Sequence, residues 1–114
     1  MLENGPMMSA TLTRIQQLVE QGEVKISEHG YDELSDDLLG VAEILEGVRG
    51  AKTVEDYPTF GKGPSVLVLQ LDRAARPVHV VWGIPKGHDG PAVLVTAYRP
   101  DSAKWDGEFM ERLK

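Results

Sequence analysis

Three apolar runs follow one another in the second half of the chain and constrain the fold more than any other feature. The runs are SVLVLQL (65–71), PVHVVWGI (77–84) and AVLVTAY (92–98). Each has the length of a strand, and the links DRAAR and PKGHDGP are short and rich in turn-forming residues. The pattern predicts an antiparallel meander. The last two runs have few polar residues at either alternating position, which indicates a sheet covered on both faces.

The first half of the chain has the helical period. Apolar residues recur at helical spacing within residues 10–21, and Gly22 suits the end of that helix. Ser27 is a suitable N-cap for a short second helix through Leu34. Ser35 is a suitable N-cap for a third helix. Asp36 and Asp37 are expected in its first turn, where the helix dipole favours negative charge. The expected apolar stripe is Leu38, Val41, Leu45 and Val48, and Gly50 lies beyond the end.

The remaining segments complete an α+β pattern. KTVEDY (52–57) has strand character and stops at Pro58, whereas the segment from Arg99 to Lys114 predicts a short C-terminal helix. The expected fold is therefore α+β, with N-terminal helices packed on a four-stranded, mainly antiparallel sheet. Residues 1–9 are predicted to form a flexible tail, and residues 10–114 a single domain.

Composition and charge narrow the class of protein. The chain has 114 residues, no cysteine and a net charge of −6, which excludes a disulfide framework and argues against a general nucleic-acid binder. The charge is uneven: residues 1–58 hold 4 Lys/Arg against 12 Asp/Glu, and residues 59–114 hold 8 against 6. No run is long enough to cross a bilayer. We expect a cytoplasmic protein with no membrane contact.

His29 lies in the segment VKISEHGYDELS, at the start of the second predicted helix. The positive field of a helix start and the nearby carboxylates act in opposite directions on its proton affinity, so His29 is a candidate general acid or base. The structural alternative is a histidine that packs a ring edge and hydrogen-bonds a backbone group, and spacing alone favours it. A metal site is a weaker alternative, because Asp32 and Glu33 supply neighbouring oxygens but a third ligand from the sheet is needed.

Two other histidines carry both functional and structural interpretations. His79 lies in the middle of a predicted strand, where alternation places it on the face opposite Val78, Val80 and Trp82. A satisfied core histidine is the structural alternative. His88 lies with Lys86 in the loop PKGHDGP, where the pair can contact an anionic substrate or form a solvated turn.

A second dense cluster, TAYRPDSAKW, lies where the last strand ends. Arg99 and Lys104 can neutralise a phosphate, and Tyr98 can stack or donate a proton. The structural alternative makes Asp101 or Ser102 the cap of the C-terminal helix. Trp105, Phe109 and one of Met110 and Leu113 are expected to return to the core. There is no phosphate-binding glycine loop, nucleophile elbow or paired-histidine motif.

Four motifs in this order, ISEHGYDEL, VEDYP, PVHVVWGI and VLVTAYRPD followed by KW, resemble the domain of unknown function 4258 family of bacteria and archaea. The resemblance runs from about Lys25 to the C-terminus. It implies a fold similar to the RelE/ParE-like toxins and a toxin or toxin-like role in a type II toxin–antitoxin pair. The implied partners are a cognate antitoxin, such as a small MqsA-like zinc-finger protein, and RNA or the ribosome.

The resemblance also assigns residues. The motif histidine falls on His29 and the strand histidine on His79. The remaining motif positions are Tyr98, Pro100, Asp101 and Trp105. Many family members have basic residues after the first histidine, whereas this chain has Gly30, Tyr31, Asp32 and Glu33.

The leading hypothesis is a metal-independent, mRNA interferase-like RNase that needs no cofactor. His29 is the predicted general acid or base, and His79 and Tyr98 assist or position it. The predicted substrate-binding residues are Lys86, His88, Arg99, Asp101 and Lys104. The alternative, favoured by the acidic first half, is a non-catalytic module on the same fold that binds a protein partner or forms a homodimer.

Overall fold

The computed structural model describes residues 9–36 and 39–113. These residues form three helices, one 3-10 turn and one sheet. The helical elements are α1 (Ala10–Glu20), α2 (Glu28–Asp36), α3 (Val41–Gly47) and the 3-10 turn Val48–Gly50. The strands are β1 (Val24–Ile26), β2 (Lys52–Tyr57), β3 (Ser65–Leu71), β4 (Pro77–Gly83) and β5 (Ala92–Tyr98). Of the predicted tail, only Ser9 belongs to the described residues.

The sheet has the strand order β1-β5-β4-β3-β2. Strands β2 to β5 pair antiparallel in sequence order, which confirms the predicted α+β class and the meander. The prediction of four strands was wrong by one, because β1 adds a fifth strand parallel to β5, with Val24 opposite Ala92 and Ile26 opposite Leu94. A strand of three residues is too short to show any period, so only its distant partner defines it.

The helices cover one face of the sheet, which we call the helical face. Ser9 caps α1, since its Oγ accepts a hydrogen bond from the backbone N–H of Leu12 at 3.0 Å. The apolar residues of α1 then pack against the even-numbered side chains of β4, including the fully buried Trp82. Gln70 connects this core to α3: it accepts from the Trp82 indole N–H at 3.0 Å and donates to the Ile44 carbonyl at 2.8 Å. The buried amide is thereby satisfied at both ends.

The start of α3 differs from its prediction. Ser35 was expected to cap this helix but lies inside α2, while Gly40 occupies the N-cap of α3 without a side-chain bond. Ile44 is the most deeply buried residue of the helix, with Val41 and Leu45 packed less completely beside it. Val48 is buried as predicted, in the 3-10 turn. Asp37 and Leu38 lie outside the described residues.

The predicted C-terminal helix was wrong: residues 100–113 form a succession of turns, which we call the C-terminal strap. Within the strap, the Asp106 carboxylate accepts the N–H groups of Met110 at 2.9 Å and Glu111 at 3.3 Å. Side chains that bond nearby backbone groups in this way compete with helix formation. The strap lies against the face of the sheet opposite the helices, which we call the outer face. The strap covers the outer face around His79, whereas Val95 on the same face is 37% exposed, so the prediction that both faces are covered holds only in part.

The strap only partly fulfils the predicted return to the core. Trp105 is buried, with 4% exposure, but its ring contacts His79 on the outer face and not the helical-face core. Phe109 and Met110 are half-buried, and Leu113 is 51% exposed. Asp101 caps no helix, and its carboxylate instead accepts the N–H of Ala103 at 2.8 Å.

Helix α2 approaches β5 closely at Gly30. Ser27 caps α2 as predicted, accepting from the N–H of Gly30 at 2.9 Å and donating to the Val95 carbonyl at 2.8 Å. A Cβ placed at Gly30 would lie 2.8 Å from the carbonyl oxygen of Leu94. That oxygen is backbone and cannot move aside without shifting β5.

We therefore expect the Gly30→Ala substitution to lower the free energy of unfolding by about 1–3 kcal/mol through overpacking. Chemical denaturation of both variants measures the effect. The matched control is Gly61→Ala, where nothing lies within 4 Å of the added Cβ. Equal stabilities for the Gly30→Ala and Gly61→Ala variants would contradict the close approach.

Candidate functional site

The outer face of the sheet carries a cluster of polar side chains centred on His79. Residue alternation along β4 directs His79 away from the helical-face core formed by Val78, Val80 and Trp82, as predicted. His79 is the direct partner of Tyr98 on β5, and their rings meet edge to face with centroids 5.4 Å apart. His79 is 0% exposed. The structure therefore brings together two of the three predicted catalytic residues.

Both ring nitrogens of His79 have partners. Nε2 lies 2.7 Å from the Phe109 carbonyl oxygen, and Nδ1 lies 3.3 Å from the Tyr98 hydroxyl. A carbonyl can only accept a hydrogen bond, so Nε2 carries the proton of the neutral ring. Nδ1 then accepts from the Tyr98 O–H. The strap and β5 together fix the tautomer.

The backbone of the strap places the Phe109 carbonyl next to His79. Phe109 has a backbone φ of 60°, in the left-handed region that a bulky residue adopts at a cost. Trp105 lies edge to face on His79 with ring centroids 4.4 Å apart. An isolated β-bridge between Trp105 and Arg112 closes the strap at its base.

Glu55 and Arg112 form the charged side of the cluster. The Arg112 guanidinium binds Glu55 through two hydrogen bonds of 2.7 and 3.0 Å, and its carbon atom lies 4.7 Å from the Trp105 ring centroid. Tyr57 donates its hydroxyl proton to Glu55 at 2.6 Å. We call Glu55, His79, Tyr98 and Arg112 the outer-face cluster.

The surroundings set the charge of each group. Burial lowers the pKa of His79 below its ordinary 6.5, against the opposing effects of the Phe109 hydrogen bond and the Glu55 charge. The hydrogen bond from Arg112 lowers the pKa of Glu55, and burial raises the pKa of Tyr98. At neutral pH the outer-face cluster therefore holds a neutral imidazole, a phenol, a carboxylate and a guanidinium.

His29 lies apart from this cluster. It belongs to α2, which packs on the helical face beside Leu94, and its side chain is 66% exposed. Its Nε2 is 3.3 Å from the Glu33 carboxylate, one helical turn away. The structure thus places His29 on the face opposite His79 and Tyr98.

The predicted substrate-binding residues are divided among several places. The Arg99 guanidinium binds the Asp72 carboxylate at 2.7 Å and the Pro77 carbonyl at 3.2 Å. Asp72 also accepts two backbone N–H groups of its turn, and these contacts lower its pKa to about 2. Arg99 is thereby held at the β3–β4 turn.

The exposed residues of this set lie on loops. Lys86 follows β4, where its backbone N–H bonds the Lys62 carbonyl at 3.1 Å. His88 lines a shallow cavity of about 280 Å³ with Arg14 and Asp89. Lys104, on the strap, is exposed, as is Asp101.

Sequence reasoning missed Glu55 and Arg112. Glu55 lies within the quoted motif VEDYP, but strand spacing gave no reason to separate it from an ordinary exposed carboxylate. Arg112 is 57 residues further along the chain and was assigned to a helix.

Within residues 9–36 and 39–113, no three His, Asp or Glu side chains converge as metal ligands would. None of the helices described there is long and apolar enough to cross a membrane.

The family model named domain of unknown function (DUF4258) matches residues 26–99, well over half of the chain. The chain belongs to the DUF4258 family. The DUF4258 match includes Glu55, His79 and Tyr98 and ends at Arg99, so Arg112 and the rest of the strap lie beyond it. No curated protein and no solved structure matches the chain.

The buried imidazole makes the stability of this DUF4258 protein depend on pH. The unfolded chain binds a proton at His79 near pH 6.5, whereas the folded chain binds it only at lower pH. The unfolded state thus holds more protons in this window, so stability is lost as the pH falls from 6.5 through the folded pKa. We expect a His79→Gln variant to lose less stability than the wild type between about pH 7.5 and about pH 5.

Denaturant titrations across this pH range measure the difference in slope, which does not depend on the absolute stability of the variant. Gln70→Leu is a comparison variant with a changed buried side chain and no titrating group removed, and it should keep the wild-type slope. An unchanged slope in His79→Gln would mean that burial of this ring does not control its proton.

Proposed function

We propose that this protein is a toxin-like component of a type II toxin–antitoxin pair and acts as a metal-independent endoribonuclease. The single observation that carries the proposal is the outer-face cluster: a histidine, a tyrosine, a carboxylate and an arginine on one sheet face. These are the groups that cleavage of RNA without a metal needs. A RelE-like placement of the fold, a cytoplasmic location and an antitoxin partner, such as a small MqsA-like zinc-finger protein, are parts of this proposal.

The charge states suit the chemistry. A neutral imidazole can accept a proton at physiological pH, and the low pKa of His79 keeps it neutral. Arg112 can bind two oxygens of a phosphate with the same geometry that it uses on Glu55. The carboxylate of Glu55 holds the guanidinium in place until an anion arrives.

The reaction needs His79 to expose its Nε2 atom. When the Phe109 carbonyl moves away, Nε2 can lose its proton to solvent while Nδ1 gains one from solvent. The Tyr98 hydroxyl then rotates and accepts a hydrogen bond from Nδ1–H, and the Nε2 lone pair is free. The hydroxyl of Tyr98 can serve either tautomer, and Tyr98 is therefore a positioning residue. The step requires displacement of the strap, because Nε2 is closed by Phe109 in the structure.

The bond changes then follow. Nε2 of His79 takes the proton of a ribose 2′-hydroxyl, and the 2′ oxygen forms a bond to phosphorus while the bond to the 5′ oxygen breaks. The departing 5′ oxygen takes a proton from solvent, and the imidazolium returns its proton to solvent. Arg112 balances the charge that builds on the phosphate oxygens. The products are a 2′,3′-cyclic phosphate and a 5′-hydroxyl end.

A second candidate function is a non-catalytic module that binds a protein partner. The complete burial of His79 favours it, since a ring with both nitrogens paired can be purely structural. In that case the outer-face cluster serves only to fasten the strap.

Induction of the protein alone separates the two candidates. We expect the wild type to arrest growth and leave RNA fragments with 2′,3′-cyclic phosphate ends. Arg112→Gln and His79→Gln should reduce the cleavage rate by about 100-fold or more, the usual contribution of a general base or an oxyanion-binding group. Growth curves, RNA gels and end-group analysis at equal protein levels measure this.

Two controls match these variants. Arg49→Gln removes another exposed arginine, paired with Glu20, and His29→Gln removes the histidine of the helical face. Both should retain activity. Loss of activity in His29→Gln but not in His79→Gln would move catalysis to α2. A folded, abundant and harmless wild type would instead favour the protein-binding module.

A further inference from the structure

An apolar groove lies on the outer face next to the outer-face cluster. It has a volume of about 490 Å³ and runs between the turn after β2 and the outer surfaces of β4 and β5. Val81, Val93 and Val95 contribute to its floor. Val81 shares the outer face with His79 two residues away, or about 7 Å along the strand. The size is that of a small-molecule or single-residue binding site.

Two aromatic side chains at this groove remain open to solvent. Tyr57 is 47% exposed and Phe60 is 54% exposed, and both line the groove. The Tyr57 ring is held by its hydrogen bond to Glu55, so it connects the groove directly to the outer-face cluster. Exposed aromatic rings beside an apolar floor are suited to a flat apolar ligand.

Lysines surround this apolar surface. Lys62 lines the groove, and the backbone bond between Lys62 and Lys86 places a second lysine at the same end. Lys25 is the register partner of Val93, at the side of the groove formed by β5. Among the described residues, none of these three lysines takes part in an ion pair, whereas Arg49, Arg73, Arg76, Arg99 and Arg112 all do. The surroundings of the groove are therefore complementary to an anion.

We infer that the groove binds a nucleobase of single-stranded RNA, with Tyr57 and Phe60 stacking on the base and Lys62 and Lys86 binding the adjoining phosphates. The inference rests on the proposed ribonuclease function and names the part of the substrate that this site holds. Aromatic stacking beside cations is the usual mode of binding to single strands. A duplex keeps its bases stacked and out of reach of such a groove.

The combination of features decides between a base and a protein side chain. An aliphatic side chain of a partner would use the apolar floor but would leave three unpaired lysines without a role. A nucleotide uses both, because its base is flat and apolar on its faces and its phosphate is negative. A base in the groove also places the next phosphodiester towards His79 and Arg112, since Tyr57 borders both sites.

Binding is measured with an end-labelled 2′-O-methyl oligoribonucleotide of about 12 bases, within the length that such sites cover. This probe lacks the 2′-hydroxyl nucleophile, so binding is measured independently of cleavage. We expect Phe60→Ala to weaken binding by about 5- to 100-fold through lost stacking. Lys62→Ala should lower the slope of log K against log salt concentration by about 0.7. An oligomer with abasic sites should bind weakly and be insensitive to Phe60→Ala.

Matched controls are Tyr31→Ala, which removes a 57% exposed aromatic ring of α2, and Arg49→Ala, which removes an exposed cation of the 3-10 turn. Both should bind as the wild type does. Wild-type affinity in Phe60→Ala would overturn the inference. So would a wild-type dimer that Phe60→Ala converts to a monomer in sedimentation, because the groove would then hold a second copy of the chain.

Failure of the inference and failure of the proposed function are distinguishable. If the wild type cleaves unmodified RNA while Phe60→Ala binds the probe normally, the ribonuclease stands and the groove assignment falls. If the probe binds and Phe60→Ala weakens it, but no RNA is cleaved, the groove assignment stands and the ribonuclease falls. An absence of any RNA binding at low salt removes both.

Discussion

The burial of His79 is the constraint on which the outer half of the structure depends. A histidine without solvent contact must find partners for both nitrogens, and here one comes from β5 and the other from the strap. The second partner is the backbone carbonyl of Phe109, which has a left-handed backbone conformation in the part of the strap that lies over the sheet. The strap and β5 thus meet at one buried ring and together fix its tautomer.

Much of the fold can be predicted from the sequence because it is built from local patterns. Three apolar runs with short links allow little besides a meander, and α1 shows a clear helical period. The misses have non-local causes. Strand β1 is defined by its pairing with the distant β5, and in the strap the Asp106 carboxylate accepts two backbone N–H groups, which competes with a helix. Neither effect changes the periodicity of the chain.

The site follows the same division. His79 and Tyr98 could be singled out because each is a polar side chain in a predicted apolar strand. The two strands are adjacent, so the side chains come together. Glu55 lies on β2 and Arg112 on the strap. Their ion pair joins residues far apart in the chain and forms only in the complete tertiary structure. His29 could be singled out as well, but its face is decided by how α2 packs at Gly30, which no spacing rule specifies. Its predicted role stays a prediction.

The DUF4258 match ends before the strap, and this has a consequence for the solvent exposure of His79. The matched region supplies the strands and the histidine, whereas the covering residues Trp105, Phe109 and Arg112 come afterwards. A sequence change confined to the last few turns can thus uncover the imidazole, return its proton affinity towards that of a ring in water and leave the sheet unaltered. The strap, which has no helix or strand, therefore determines whether solvent reaches His79.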